Sequence, residues 1–461
     1  MSSKSPYSPS EPILVRNAPC WHHWKLILAL GIVVLLSTVG LKSTWNALHF
    51  SLPVSSPAGS LTAQDNQQIT GNPQWQLTAR GSIVNVEYEW VFKTREPLTA
   101  APAVSNDEIF LVSGTKASSG RIHAMDASSG DVIWEIPLNS IADHSPIVAD
   151  DSLFVVTRGG DILSIAAQTG SPQWSFDGSA SISGLPIVLE GVLYAGASHL
   201  YALDAETGKV RWGHKVGNRV VWPLAVSDGV VAALASDNNF YLVTANNGTR
   251  RLTFPLWFKP VGGPVISDQT VAFSGARGNV QAMALSGTDI PFEKALRYWR
   301  TKLFLWDIIS AHPPVPRGYL WQQRELGGHV ARLIGGDAQR VYLTIDDAEI
   351  GGRVVALDGS TGKLVWEFKG ESQFAPGATM AGPVLVIGTQ RGRVHGIDIN
   401  SGESLWNLTV GGPVSAAPAL SDDMLLVPSS DGKLYAIDST RTFGVRARTE
   451  TDTASGSGPP S

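Results

Sequence analysis

The feature that most constrains this chain is a short frame that recurs at a near-constant interval. "ALDAETGKVRW" (Ala202 to Trp212) returns as "AMDASSGDVIW" (Ala124 to Trp134), "ALDGSTGKLVW" (Ala356 to Trp366) and "GIDINSGESLW" (Gly396 to Trp406). Aligned on its Asp, the frame falls at Asp126, Ala166, Asp204, Thr244, Ala284, Asp358, Asp398 and Asp438, with steps of 40, 38, 40, 40, 74, 40 and 40 residues. A period near 40, built of short apolar strands between Gly-containing turns, is that of a propeller array. Eight positions predict eight blades.

The order of residues within the frame follows from sheet chemistry. Alternate residues before the Asp face opposite sides of a sheet, so one side packs on the neighbouring blade. The Asp accepts local backbone N–H bonds and the Gly supplies a positive φ, which together close a tight hairpin. The Trp offers a large apolar face and one N–H donor to wedge between blades. The expected docking set is Asp126, Asp204, Asp358, Asp398 and Asp438 with Trp90, Trp134, Trp174, Trp212, Trp321, Trp366 and Trp406.

The eighth copy, "AIDSTRTFGVR", has no Trp. In regular units a Pro follows the Trp by twelve residues (Trp134 to Pro146, Trp174 to Pro186, Trp406 to Pro418), and Trp90 to Pro102 repeats that spacing with no frame before it. "EYEWVF" (Glu87 to Phe92) is therefore predicted to be the outer strand of the last blade. Pairing the two ends of the repeat array closes the ring and removes an open edge.

These residues resemble the tryptophan-docking repeat, A-x-D-x-x-x-G-x-x-x-W, of the pyrroloquinoline-quinone (PQQ) type β-propellers, over about Val86 to Ser439. Three copies match in full. The resemblance implies the fold and points two ways on function, because such repeats occur in quinoprotein dehydrogenases and in non-enzymatic outer-membrane assembly lipoproteins. The chain is closer in style to the latter. Dehydrogenases of this kind typically hold PQQ over a Ca²⁺ bound by acidic and Asn side chains, often under a disulfide between adjacent cysteines. This chain has one cysteine, Cys20, and lacks the longer blade insertions that build such a pocket.

The remaining segments set location. Residues 1–25 read as a cytoplasmic polar leader and 26–45 as a transmembrane anchor. "LILALGIVVLLSTVGL", sixteen uncharged residues between Lys25 and Lys42, spans roughly 24 Å as a helix. Trp21, Trp24, Trp45 and the lysines extend it to the interfaces. A cleaved signal peptide is the alternative. Lys4, Arg16 and Lys25 against Lys42 place the propeller outside the cytoplasm, on the periplasmic or extracellular side. Residues 46–85 read as a linker, 86–440 as the propeller and 441–461 as a disordered tail. The net charge of −5 gives no electrostatic reason to expect nucleic acid.

Several tempting sites reduce to the repeat. Asp150-Asp151, Asp422-Asp423, Asn106-Asp107, Glu190-Gly191 and Asp268-Gln269 all fall four and five residues after the repeat Pro, at hairpin-turn positions. His123 and His395 share a slot with Tyr201, Val355 and Tyr435, which marks it as a packing position. Gly327-Gly328 and Gly335-Gly336 read as hairpin turns.

Only the step across Ala284 is irregular. From there to Trp321 are 37 positions where the frame needs 8, which puts an insertion at about 288–317. Within it, "PFEKALRYWRTKLFLWDII" predicts a helix opening at Pro291 and ending before Pro313-Pro314. Leu296, Trp299, Leu303, Trp306 and Ile309 recur at helical spacing beside Arg297, Arg300 and Lys302. Such a helix either buries that stripe on the propeller or presents Trp299, Leu303 and Trp306 to a membrane or partner.

The expectation is an all-β, eight-bladed propeller with an N-terminal single-pass helix and a helical insertion. It would be a non-catalytic protein-interaction scaffold without cofactor, tethered to a membrane and acting in envelope assembly. The alternative is a PQQ-dependent oxidoreductase using calcium, and a further alternative is an extracytoplasmic sensor or glycan-binding module.

Overall fold

The computed structural model describes residues 61–62, 82–83 and 87–439, apart from short stretches in the loops. The leader, the apolar segment expected to cross a membrane and the tail lie outside the described residues. Among the described residues no helix is long and apolar enough to span a bilayer.

Eight blades of four antiparallel strands form the ring, seven of them meanders of consecutive strands, and two of the sheets carry a short fifth strand. Blade 1 runs Ala103–Ser105, Glu108–Ser113, Arg121–Asp126, Val132–Pro137. Blades 2 to 4 begin at Ile147–Ala149, Ile187–Leu189 and Ala225–Ser227, and blades 5 to 8 at Val265–Ser267, Val330–Gly336, Thr379–Ala381 and Ala419–Ser421. These first strands neighbour one another around the ring, with blade 8 beside blade 1. The second strands Val192–Gly196 and Val230–Leu234 are wholly buried, and third strands mix buried with half-buried residues. Outer strands alternate exposed and half-buried residues, as expected for a sheet with one face on a neighbour.

Blade 8 takes its outer strand from the other end of the array. Tyr88–Lys93 pairs antiparallel with Lys433–Asp438, placing Trp90 opposite Ala436. Two short stretches within the expected linker also pair with blades. Leu61–Thr62 lies antiparallel to the inner strand of blade 4, and Ser82–Ile83 lies parallel to the outer strand of blade 7.

Except in blade 6, where three residues intervene, the first two strands of a blade are joined by two-residue turns. Asp107, Asp150, Glu190 and Asp268 all take positive φ there, between 48° and 62°, the left-handed conformation such hairpins demand. Asn106 and Asp422 lie outside the described residues. Gly335 and Gly336 depart from expectation: they belong to the strand Val330–Gly336, beside an irregularity in register, and not to a turn. A Cβ on Gly336 would sit 3.0 Å from Val265 Cγ1 on the inner strand of blade 5 and 3.1 Å from the Arg340 carbonyl oxygen, tighter than ordinary contacts.

The insertion leaves between the third and fourth strands of blade 5, Val280–Ala284 and Tyr319–Gln323. Among its described residues it holds one helix, α1, Glu293–Leu305. This is shorter than the stretch from Pro291, because Phe292 takes φ 67° and makes no side-chain cap, while Asp307 reverses the chain at φ 54°.

Candidate functional site

The candidate residues gather on one rim of the ring. In an antiparallel four-stranded blade, the turns after the first and third strands share a rim, and the other connections occupy the opposite one. The docking turns, the carboxylate hairpins and the insertion therefore lie together.

Each docking contact is built from three places. The first is the Trp on an outer strand. The second is a small residue directly across from it on the third strand: Ala124 faces Trp134, Ser164 faces Trp174, Ala202 faces Trp212, Ala282 faces Trp321 and Ala356 faces Trp366. The register slips immediately after each pair. The third is the turn of the following blade. Trp90 Nε1 donates to the Ala127 carbonyl at 3.0 Å, Trp134 to Ala167 at 2.7 Å, Trp174 to Ala205 at 3.0 Å, and Trp212 to Ala245 at 2.6 Å. Trp321 donates to Gly359 and Trp366 to Ile399, both at 2.8 Å. The ring lies flat on the turn Gly: a Cβ at Gly130, Gly208, Gly248 or Gly402 would stand 2.6 Å from the indole.

The Asp residues shape those turns. Asp126 Oδ1 accepts from the Ser128 and Ser129 backbone N–H groups at 2.9 and 2.8 Å, and Asp398 Oδ1 accepts from Asn400 and Ser401 at 2.7 and 3.0 Å. Asp358 Oδ1 accepts from Ser360 and Thr361 through both backbone and hydroxyl. Asp204 accepts from Thr207 on one oxygen and from Arg211 at 2.8 Å on the other. The Arg211 guanidinium, followed by the Thr207 hydroxyl, pulls the Asp204 carboxyl down to about 2. Asp438 ends its strand, and the turn beyond Ser439 lies outside the described residues.

Two places depart from the pattern. In blade 4 Leu252 occupies the Trp position and Leu242 the small one across from it. The neighbouring turn is the one interrupted by the insertion, whose Gly287 and Gly318 flank Leu252 Cδ2. In blade 7 Gly396 replaces the usual Ala opposite Trp406. A Cβ there would fall inside the Trp406 indole, and Trp406 is buried to 2% exposure. The Ala-to-Gly exchange makes room for that ring.

Other polar groups are held within the repeat. His123 is buried, with Ser113 Oγ 2.9 Å from Nε2 and Glu135 3.3 Å from Nδ1. His395, in the equivalent slot, lies edge-on to Phe368 and Phe374, and neither ring nitrogen has a hydrogen-bond partner. Burial, reinforced by Arg393, lowers it to about 4. A cleft of about 300 Å³ between blades 1 and 2 is lined by Glu108, Asp150 and Asp151. Asp150 is the left-handed turn residue there, and burial, then Asp126, raises the Glu108 carboxyl. Among the described residues, no three His, Cys, Asp or Glu side chains converge as a metal site.

The insertion is the feature whose surroundings the sequence left open. No described side chain of α1 is buried. Leu296, Trp299 and Trp306 remain 51%, 44% and 57% exposed, and Leu303 is half-buried. The helix does not bury its stripe on the propeller. Its root is fixed to blade 4 through Asp289, whose N–H donates to Arg251 O at 2.6 Å and whose carboxylate lies 3.6 Å from Arg250.

A family model described as outer membrane protein assembly factor BamB matches residues 57–283 and 350–442. The protein of that name from Yersinia pestis is 24% identical over 208 residues, 41% of this chain and 49% of its own, so this chain spans about half the length of that relative. The protein of that name from Burkholderia pseudomallei (strain K96243) is 24% identical over 355 residues, 71% of this chain and 82% of its own. Among solved structures, quinohemoprotein alcohol dehydrogenase from Comamonas testosteroni superposes with a TM-score of 0.58 over 82% of this chain and 83% of its own, at 14% identity. That likeness is one of fold alone. The internal stretch between the two matched segments, 284–349, contains the insertion.

Proposed function

The chain belongs to the propeller family described as outer membrane protein assembly factor BamB, and from that membership we propose that it is a non-catalytic scaffold for assembling outer-membrane proteins. The propeller works on the periplasmic side and is tethered to a membrane by the apolar segment within 26–45. Its partners are proteins of the envelope, which it binds without a cofactor.

The observation that carries this reading is how the recurrent chemistry is used. The Asp, Gly and Trp of the matched repeats are engaged in turns and blade-to-blade contacts. What is left for function is surface, and a rigid ring with many loops on two rims is suited to holding partners.

Depleting the protein from its own cells tests the reading, with the fraction of folded outer-membrane β-barrels read by heat-modifiable gel mobility. The scaffold reading expects that fraction to fall and to return with the full chain; unchanged folding contradicts it. Incubating the full chain with PQQ, Ca²⁺, alcohols or sugars and an artificial electron acceptor separates the alternative. Turnover above the no-cofactor control would establish an oxidoreductase.

A further inference from the structure

We propose that helix α1 is a docking element for an anionic lipid surface. The inference stands apart from the assembly role, because it rests on residues outside the family match.

Leu296, Trp299, Leu303 and Trp306 fall within a sector of about 80° on a helix advancing 100° per residue. Trp306 is in register with them, since its N–H donates to the Lys302 carbonyl at 2.9 Å. Arg300 flanks the sector on one side and Lys302 on the other, each about 40° beyond its edge by the same geometry. Tyr298 and Leu305 add exposed apolar surface beyond these margins, and Lys302 Nζ lies 5.5 Å from the Tyr298 ring centroid.

The charge is local and opposite to that of the chain. The helix carries four basic residues, Lys294, Arg297, Arg300 and Lys302, against Glu293, whereas the whole chain has a net charge of −5. An apolar ridge edged by cations, with Trp and Tyr beside it, matches a headgroup layer: the rings and aliphatic chains enter the acyl boundary while guanidinium and ammonium groups meet phosphates. Leu296, Trp299 and Trp306 of the ridge are exposed and Leu303 is half-buried. A protein groove would have to be shaped to the ridge, and a bilayer surface would not. Because Asp289 ties the root of the insertion to blade 4, insertion of α1 would turn the docking-turn rim toward the membrane.

The test uses the full chain with Cys20→Ser and one new cysteine carrying an environment-sensitive nitrobenzoxadiazole label. Trp306→Cys reports the ridge. Trp257→Cys is the control, since Trp257 is 74% exposed and lies in the connection between blades 4 and 5, on the opposite rim. The label at position 306 is expected to shift blue, and to be shielded from iodide, on phosphatidylglycerol-containing vesicles and not on pure phosphatidylcholine. High salt is expected to reverse the shift. Arg300→Glu with Lys302→Glu should weaken the response to lipid titration by about tenfold or more. No shift at position 306, an equal shift at 257, or equal shifts on neutral vesicles would overturn the proposal. A lipid-independent shift that grows with protein concentration would identify a second copy as the occupant and overturn it as well.

Discussion

The boundary between blades 3 and 4 and the boundary between blades 4 and 5 solve one packing problem differently. At the first, Trp212 sits across from Ala202, lies on Gly248 and donates to Ala245. At the second, Leu252 sits across from Leu242 and meets Gly287 and Gly318, where the insertion leaves and returns. Large-on-small has become medium-on-medium, and the turn that would have received a Trp carries a helix instead. The repeat is written within one blade, but its contact joins two. Departures therefore come as linked changes: the lost Trp of blade 4 belongs with the broken turn of blade 5. Gly396 shows the same coupling within blade 7, where the residue opposite Trp406 shrinks further as the ring is buried.

The comparison is broken most severely by removing a docking ring. Trp321→Ala should destabilise the propeller by about 3–5 kcal/mol, through lost apolar burial, a cavity and the hydrogen bond to Gly359. Leu252→Ala removes less area and no hydrogen bond, and should cost about 2–3 kcal/mol. Chemical denaturation of the two variants side by side reads the difference.

Acid sharpens the contrast between equivalent slots. His395 is held neutral, near 4 against an ordinary 6.5. The unfolded chain thus binds the proton first, and the contribution of this group is complete above pH 6.5 and lost as pH falls toward 4. The loss amounts to about 3 kcal/mol, and His395→Phe should flatten the profile of melting temperature in that window. Asp204 acts lower: its carboxyl is depressed to about 2 from 3.8, so its contribution persists above pH 3.8 and fades only below it.

A methyl group tests the turn half of the contact. Gly208→Ala introduces a Cβ at 2.6 Å from the Trp174 ring at φ 70°, and should cost about 1–3 kcal/mol. Gly191→Ala shares the positive φ but has nothing within 4 Å of its Cβ, and should cost only about 1 kcal/mol. Equal losses would mean that conformation, not the ring, dictates glycine. The smallest effect is expected from exchanging 290–316 for a short Gly-Ser link, because α1 buries no described side chain on the blades. Thermal stability should then change by no more than about 0.5 kcal/mol.

Much of this architecture was legible because a closed ring repeats its constraints. The twelve-residue interval from Trp to Pro places Tyr88–Lys93 in the last blade, and the fixed offset from that Pro assigns Asp150, Glu190 and Asp268 to turns. What could not be read depends on neighbours distant in sequence. Gly335 and Gly336 carry a turn's composition, yet they pair with Tyr342 and Val341 in a strand whose register shifts between Leu333 and Gly335. The periodicity of α1 gives its apolar ridge but not the surface it faces. The exchange of Ala for Gly at Gly396 is visible in the frame, but its cause, the Trp406 ring across the strand pair, is not.

The most direct measurement rebuilds the blade 4 pair inside blade 3. Ala202→Leu alone overpacks Trp212, and Trp212→Leu alone leaves a cavity; each should destabilise by about 1–4 kcal/mol. If the Trp and the residue opposite form one size-matched unit, the double variant should be more stable than the sum of the single losses predicts, by at least about 1 kcal/mol in a denaturation cycle. Additive losses would contradict the account, and would make Leu242 and Leu252 two independent substitutions.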